Sequence, residues 1–337
     1  MESDEHRARL GLRGRTNTVL PMKNEMLSCL SSRHPHHNPN ESATKLHWPG
    51  GSYQSEPGML NAVHEITQYK PQVDGHVPEM IWLHQVEETS TAKLRRELEI
   101  DDPARRSRIL NIHVSWKLQP ITKLSGKEFR HHRVLWISGV YHYDVSPSNL
   151  MVYRALSSLM MGVINDWDLS SPENGSGGHG RTGMIPFMAM DLLTKKAIKG
   201  EAEHMYQHIA ESFIWVLIWV CLQYEDGKLL SKDRLLDCWL TGDAFSCQEI
   251  KRSFLQLAME NRIRAPLPPQ PLWELDLFLL TFIVSFYVED RNFSVLERES
   301  GVWTNKRVLV PWSGEIPLNG KGALPRHYHT PVAIKQQ

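Results

Sequence analysis

Between residues 108 and 118 the chain alternates with a period of two. Leu110, Ile112, Val114, Trp116 and Leu118 fall on one face, and Ile109, Asn111, His113, Ser115 and Lys117 on the other. That spacing predicts a β-strand with one apolar face. Upstream, Met59, Leu60, Val63 and Ile66 recur at helical spacing and predict a helix over 55–70. Ser55 suits its N-cap, and Glu56 and Pro57 suit its first turn. SATKLHWP (42–49) reads as a short strand, and 76–100 runs from a strand-like piece into a charged helix. From residue 184 onward the pattern turns helical, with segments at 204–224, 229–240, 249–260 and 273–288. PENGSGGHGRTG (172–183) reads as a glycine-rich loop, and the chain after about residue 295 shows no periodicity.

Two runs, ESFIWVLIWVCLQY (211–224) and LFLLTFIVSFYV (277–288), are apolar all round and bounded by charges. Each falls short of the roughly 20 residues a bilayer span requires, so both read as buried core helices of a soluble chain. A strand-bearing first part followed by a larger helical part predicts an α+β fold. Hydrophobic residues at 41% and charged residues at 23% are those of an ordinary globular protein. Lysine plus arginine equals aspartate plus glutamate, 38 each, so no global charge draws the chain to nucleic acid or to a membrane. Cys29, Cys221, Cys238 and Cys247 form no CxxC pair, which fits free thiols in a reducing compartment. The charged start, MESDEHRARLGLRGR, has no apolar stretch of the kind a secretory signal needs. An intracellular location, cytoplasmic or nuclear, is the expectation. RHPHHNPN (33–40) holds three histidines with no acidic or cysteine partner at ligand spacing, and reads as a solvated loop.

The chemistry concentrates where the two parts meet. YHYDVSPSNL (141–150) carries Asp144 and, five positions on, Asn149; VINDWDLSS (163–171) carries Asp166 in an Asp-aromatic-Asp turn. An aspartate preceded by His-x and followed at that spacing by asparagine, then by Asp-aromatic, is the layout of a phosphoryl-transfer site of the protein-kinase kind. Such a site needs a carboxylate to orient the attacking hydroxyl and accept its proton, and oxygen ligands to hold Mg²⁺ against the ATP phosphates. Asp144 suits the first role, and Asn149 and Asp166 the second. Taken alone, these residues also fit a buried turn with surface acids.

Further phrases extend the pattern: KLHWPGGSYQSEPGML, GHVPEMIW, ETSTAKLRRELEIDD, LQPITKLSGKEF, GVYHYDVSPSNLMVYR, MGVINDWDLSS, RTGMIPFMAMDLL and ESFIWVLIWVCLQYEDGKLLSK. In this order, over most of residues 10–260, they resemble the fungal-type protein kinase family, a divergent kinase group of mushroom-forming fungi. The resemblance implies a two-lobed kinase-like fold with ATP between the lobes. Residues 1–40 would be a poorly ordered N-terminal segment with a remnant of the first strands. Residues 41–118 would form an incomplete N lobe, 119–295 a C lobe, and 296–337 an irregular tail. It also implies that Lys45 grips the ATP phosphates, that Glu56 pairs with Lys45, that Asp144 is the catalytic aspartate, and that Asn149 and Asp166 are the Mg²⁺ ligands. RTGMIPFMA (181–189) would end the activation segment, with Asp191 near its closing acid, and ESFIWVLIW would be the central buried helix. The implied activity is transfer of the ATP γ-phosphoryl group to a protein Ser/Thr hydroxyl, with a protein as substrate or partner.

Several positions depart from the family's pattern. Tyr143 stands where an arginine is usual, Met184 where a threonine is, and Ile209 where an aspartate is. RLGLRGRTNTVL (9–20) lacks GxGxxG, and only RHHRVLWIS separates SGKEF from GVYHYD, so a helix there is short by about two turns. Loss of that cover is expected to expose part of the apolar surface carrying Phe213, Trp215 and Trp219. These departures support an alternative, an impaired pseudokinase acting as a binding module. A small-molecule kinase would share Asp144 and Asn149 but has no use for the RTGMIPFMA platform.

Overall fold

The computed structural model describes residues 17–22, 42–49, 56–100, 107–123, 140–155, 160–167, 171–172 and 183–260, the last apart from 203, 226, 233, 241 and 242, together with positions 263 and 280. All lie in the unit Met1–Val284; the second unit, Ser285–Gln337, falls outside the described residues, as do the histidine-rich stretch and the shortened helix. The described fold is α+β, with small antiparallel sheets and several helices.

Four strands form the largest sheet: β1 (Asn17–Met22), β2 (Ser42–His47), β3 (Met80–Val86) and β4 (Leu110–Trp116), in the order β1-β2-β4-β3 and antiparallel throughout. Helix α1 (Glu56–Tyr69) follows β2 and buries Met59, Leu60 and Val63 of the stripe its spacing predicted, together with Glu56 and Pro57, while Ile66 is half-buried. A short helix α2 (Thr91–Glu97) lies between β3 and β4. The β2–β4 register sets Lys45 opposite His113 and His47 opposite Asn111. Because side chains alternate along a strand, these four share one face. Here the expected polarity of β4 is corrected. Asn111 and His113 are as buried as Val114 and Trp116, whereas Leu110 and Ile112 are half-buried. The "polar" face of the strand packs inward because Glu56 waits there for partners.

Next come β5 (Gln119–Pro120), β6 (Val140–Tyr141), β7 (Leu150–Arg154), β8 (Met160–Ile164) and β9 (Ser171–Pro172). The β7–β8 hairpin joins β5 in a three-stranded sheet, and β6 pairs with β9. Residues 142–149, between β6 and β7, and the described residues 165–167, which follow β8, thus leave the same end of the β7–β8 hairpin.

Three helices follow: α3 (Lys195–Ile198), α4 (Tyr206–Gln223) and α5 (Ala244–Met259). Burial extends along the whole of α4 from Ile209 to Gln223, which accounts for its unbroken apolar run. No helix among the described residues is long and apolar enough to cross a membrane. Asp243 caps α5, its side chain accepting from the Ser246 amide, so that helix starts five residues before the apolar periodicity indicated. Among the described residues of 229–240 there is no amphipathic helix of the kind expected. In its place are the hairpin of β10 (Tyr224–Glu225) and β11 (Lys228–Leu229), turned at Gly227 with φ +74°, and a 3-10 turn at Asp237–Leu240. That turn drives Trp239 into the core edge-on to Trp215 (5.3 Å) and Phe254 (5.5 Å), while Phe187 packs on Trp219 (5.4 Å). Phe213, Trp215 and Trp219 are all buried, correcting the expectation of an uncovered face. Leu280, the one described position of the second apolar run, is also buried.

Candidate functional site

Lys45 projects from β2 between two carboxylates. Its Nζ lies 2.7 Å from Glu56 Oε2 and 2.8 Å from Asp166 Oδ1. Position 45 is on the inward face of β2, and Glu56 is at the first turn of α1, where a carboxylate also meets the positive end of the helix dipole. The Glu56 side chain is almost fully buried and fully engaged. Oε2 also takes His113 Nδ1 at 3.3 Å, and Oε1 accepts the Trp167 amide at 3.1 Å. Burial pushes its carboxyl up, but the Lys45 ammonium beside it, with the His113 contact, holds it well below the usual carboxylate range. Glu56 therefore ties three elements together: β2 through Lys45, β4 through His113, and the Asp166–Trp167 turn through a backbone amide. His47, beside Lys45 on the same face, is lowered to about 4 by burial and then by the Lys45 charge, so its ring is neutral.

The second half of the site is set by the β7–β8 ladder. Its last pair is Leu150–Ile164, and the Asn165 amide donating to Asn149 O at 2.8 Å extends it by one step. Asn149 and Asp166 therefore sit at one end of one hairpin. Asn149 turns back on its own loop, Nδ2 donating to Asp144 O at 2.9 Å, so the Asp-to-Asn spacing of five closes a turn. His142 clamps the two loops. Its Nε2 donates to the carbonyls of Asn165 (3.0 Å) and Asp166 (3.1 Å), and its ring stands edge-on to Trp167 at 5.0 Å. Both acceptors are carbonyls, so Nε2 carries the proton; burial lowers the pKa and keeps the ring neutral. Asp166 has φ +63°, in the left-handed region that aspartate tolerates better than most residues, and these bonds hold it there.

Asp144 Oδ1 is buried and has no hydrogen-bond partner among the described residues. Burial raises its carboxyl pKa, and the nearby Asp166 charge adds to the rise. A desolvated carboxylate with an open lone pair is suited to take a proton from an incoming hydroxyl. Gly183 lies against it with φ +111°. A Cβ there would stand 3.1 Å from Tyr143 O and 3.8 Å from Asp144 Oδ1.

Residues 184–193 are pinned by groups that sequence reasoning did not single out. Lys251 of α5 donates to Met188 O at 2.6 Å, Gln248 to Met190 O at 2.7 Å, and Glu211 of α4 accepts from the Met190 amide at 2.9 Å. A signal was available: Lys251 shares the apolar stripe of Cys247, Phe254 and Leu255, an unusual place for an ammonium. Tyr143 rests on the His204 ring at 4.7 Å, and Ile209 is buried in the apolar core. Asp191 lies in the 3-10 turn Met190–Leu193, where its carbonyl accepts from Thr194 Oγ1.

All five sequence-singled residues are thus described. Lys45, Glu56 and Asp166 form one ion-pair chain, and Asp144 and Asn149 share the adjoining loop. Residues 127–221, which hold Asp144, Asn149 and Asp166, match the family model described as fungal protein kinase. Over that stretch the chain is similar to proteins of the protein-kinase-like class. Within that class the match supports assignment to the fungal-type protein kinase family. No curated protein matches the chain.

Proposed function

We propose that the chain is a two-lobed protein kinase that transfers the γ-phosphoryl group of ATP to a Ser or Thr hydroxyl of a protein. In this reading residues 41–118 and 119–295 are the lobes, and the setting is intracellular. The observation that carries the reading is the ion-pair chain Glu56–Lys45–Asp166, because it presents a fixed ammonium beside a carboxylate that is 28% exposed. Glu56 positions Lys45, and Lys45 binds the α- and β-phosphates as a point charge. The Asn149 amide oxygen and the Asp166 carboxylate are hard oxygen donors of the type Mg²⁺ prefers, and would hold it. Bound Mg²⁺ supplies neutralisation of phosphate charge. The acceptor hydroxyl attacks the γ-phosphorus and the bond to the ADP oxygen breaks, while the hydroxyl proton passes to Asp144.

A second reading, a pseudokinase that binds partners without transfer, is favoured by Tyr143. Tilted against a neutral His204, it offers no cation at the arginine position, and Ile209 offers no carboxylate. Thermal melting with Mg·ATP tests the grip common to any active form. The wild type is expected to gain about 2.7 kcal/mol at a hundredfold excess over Kd, and Lys45→Met to gain far less. No shift in the wild type at saturating Mg·ATP contradicts the kinase reading.

A further inference from the structure

Behind Lys45, the inward face of β2 and β4 carries more polar groups than its ion pair needs. His47, His113 and Glu56 are all buried, and one ring nitrogen from each histidine and one carboxylate oxygen lie within 4.8 Å of one another. His113 Nδ1 is already 3.3 Å from Glu56 Oε2, about the separation of two ligand atoms on a tetrahedral zinc with bonds near 2.0–2.1 Å. The His47 ring stands edge-on to His113, with centroids 4.4 Å apart. Further buried polarity surrounds the cluster. His113 Nε2 and both polar atoms of the Asn111 side chain have no hydrogen-bond partner among the described residues, and Asn111 faces His47 across the ladder. The open His113 nitrogen and the Asn111 amide, both buried, call for a ligand or water to satisfy them.

We propose that His47, Glu56 and His113 form a site for a divalent transition metal, Zn²⁺ in particular. Two imidazoles and one carboxylate are a borderline donor set that favours zinc over Mg²⁺. The site differs from the oxygen pair of Asn149 and Asp166, and rests on none of the residues of the 127–221 match. Its position has a consequence. Glu56 Oε2 is also the acceptor for Lys45, so a dication on that oxygen repels the ammonium and leaves Lys45 with Asp166 alone. Zinc therefore opposes the Lys45–Glu56 pair and weakens nucleotide binding, and nucleotide weakens zinc by the same factor. This consequence rests on the kinase reading; zinc binding itself does not.

The test uses the full chain with His34, His36 and His37 replaced by glutamine, which removes the histidine-rich stretch, after treatment with a chelator. Zinc is titrated by calorimetry, and Co²⁺ serves as a spectroscopic probe of geometry. The expected result is one zinc site that His47→Gln and His113→Gln each weaken by at least about tenfold, the scale on which even an outer-shell partner acts. His204→Gln should leave it unchanged. No zinc binding at micromolar concentration, or binding undiminished in both variants, overturns the site. If a glutamine variant fails to fold, the cobalt spectrum of the parent chain decides. An intense four-coordinate band supports the site, and a weak octahedral one overturns it. Mg·ADP affinity measured with and without zinc separates the two claims. A loss of affinity supports the antagonism, and no change overturns it. No nucleotide binding in either state defeats the kinase reading while the metal site stands.

Discussion

Lys251 is fully buried; among the described residues its ammonium donates to Met188 O and lies 4.6 Å from the Trp215 ring centroid and 5.5 Å from that of Trp239. Burial lowers its pKa from 10.5 to about 8. The sign follows from proton binding. Below pH 8 the lysine is charged in both states, so the folded protein carries the whole desolvation cost. Between pH 8 and 10.5 the unfolded chain binds more protons, and stability rises with pH. With those two values the gain from pH 7.5 to 9.5 is about 2 kcal/mol. Lys251→Met removes this gain, and at pH 7.5 it also strips Met188 O of its donor, at about 1–3 kcal/mol. The assay is urea unfolding of both proteins at several pH values, with the difference between them cancelling groups they share. A wild-type excess slope of the predicted sign supports a buried ammonium holding the 184–193 segment. Equal pH dependence in the two proteins, or a wild type that loses stability relative to the variant as pH rises, refutes it.

Glu56→Gln leaves Lys45 with one carboxylate and removes the charge that His113 and the Trp167 amide also meet. A loss of about 3–5 kcal/mol in denaturant unfolding is expected, as for other broken buried pairs, and a loss under 1 kcal/mol would show that the pair is not formed in solution. Gly183→Ala places a Cβ 3.1 Å from a backbone carbonyl at a positive φ, so it should lower both the melting temperature and any phosphotransfer, and full retention of both would contradict the packing at Asp144. Trp239→Ala should cost about 3–5 kcal/mol by calorimetry, because Trp239 is fully buried edge-on to Trp215 of α4 and Phe254 of α5; a near-neutral change would contradict that packing.

Much of this architecture was legible in the sequence because single-element rules govern it. The helices α1 and α4 and the strand β4 follow from periodicity, and Asp144, Asn149 and Asp166 from spacing along two loops of one hairpin. Lys45 and Glu56 carried no local signal of their role. Their pairing is tertiary, across β2 and α1, and only the resemblance pointed to it. The inward turn of Asn111 and His113 was hidden for a physical reason. Alternation identifies two faces of a strand, but assigns the polar one to solvent unless a buried carboxylate is known to lie opposite. Residues 229–240 were misread because Gly227 closes a hairpin and the helical spacing beyond it is met by a 3-10 turn that seats Trp239.

The central claim is that Asp144 takes a proton during phosphoryl transfer while Lys45, Asn149 and Asp166 hold the nucleotide and its metal. It is tested most directly by mass-detected transfer from Mg·ATP to a general protein acceptor, comparing wild type with Asp144→Asn, with nucleotide affinity measured alongside. The account predicts phosphorylated Ser or Thr in the wild-type reaction, a rate about 10²–10⁴-fold lower in the variant, and nearly equal nucleotide binding in the two. Equal transfer by both proteins would contradict the role of Asp144. Nucleotide binding with no transfer by either would leave the binding module as the correct reading.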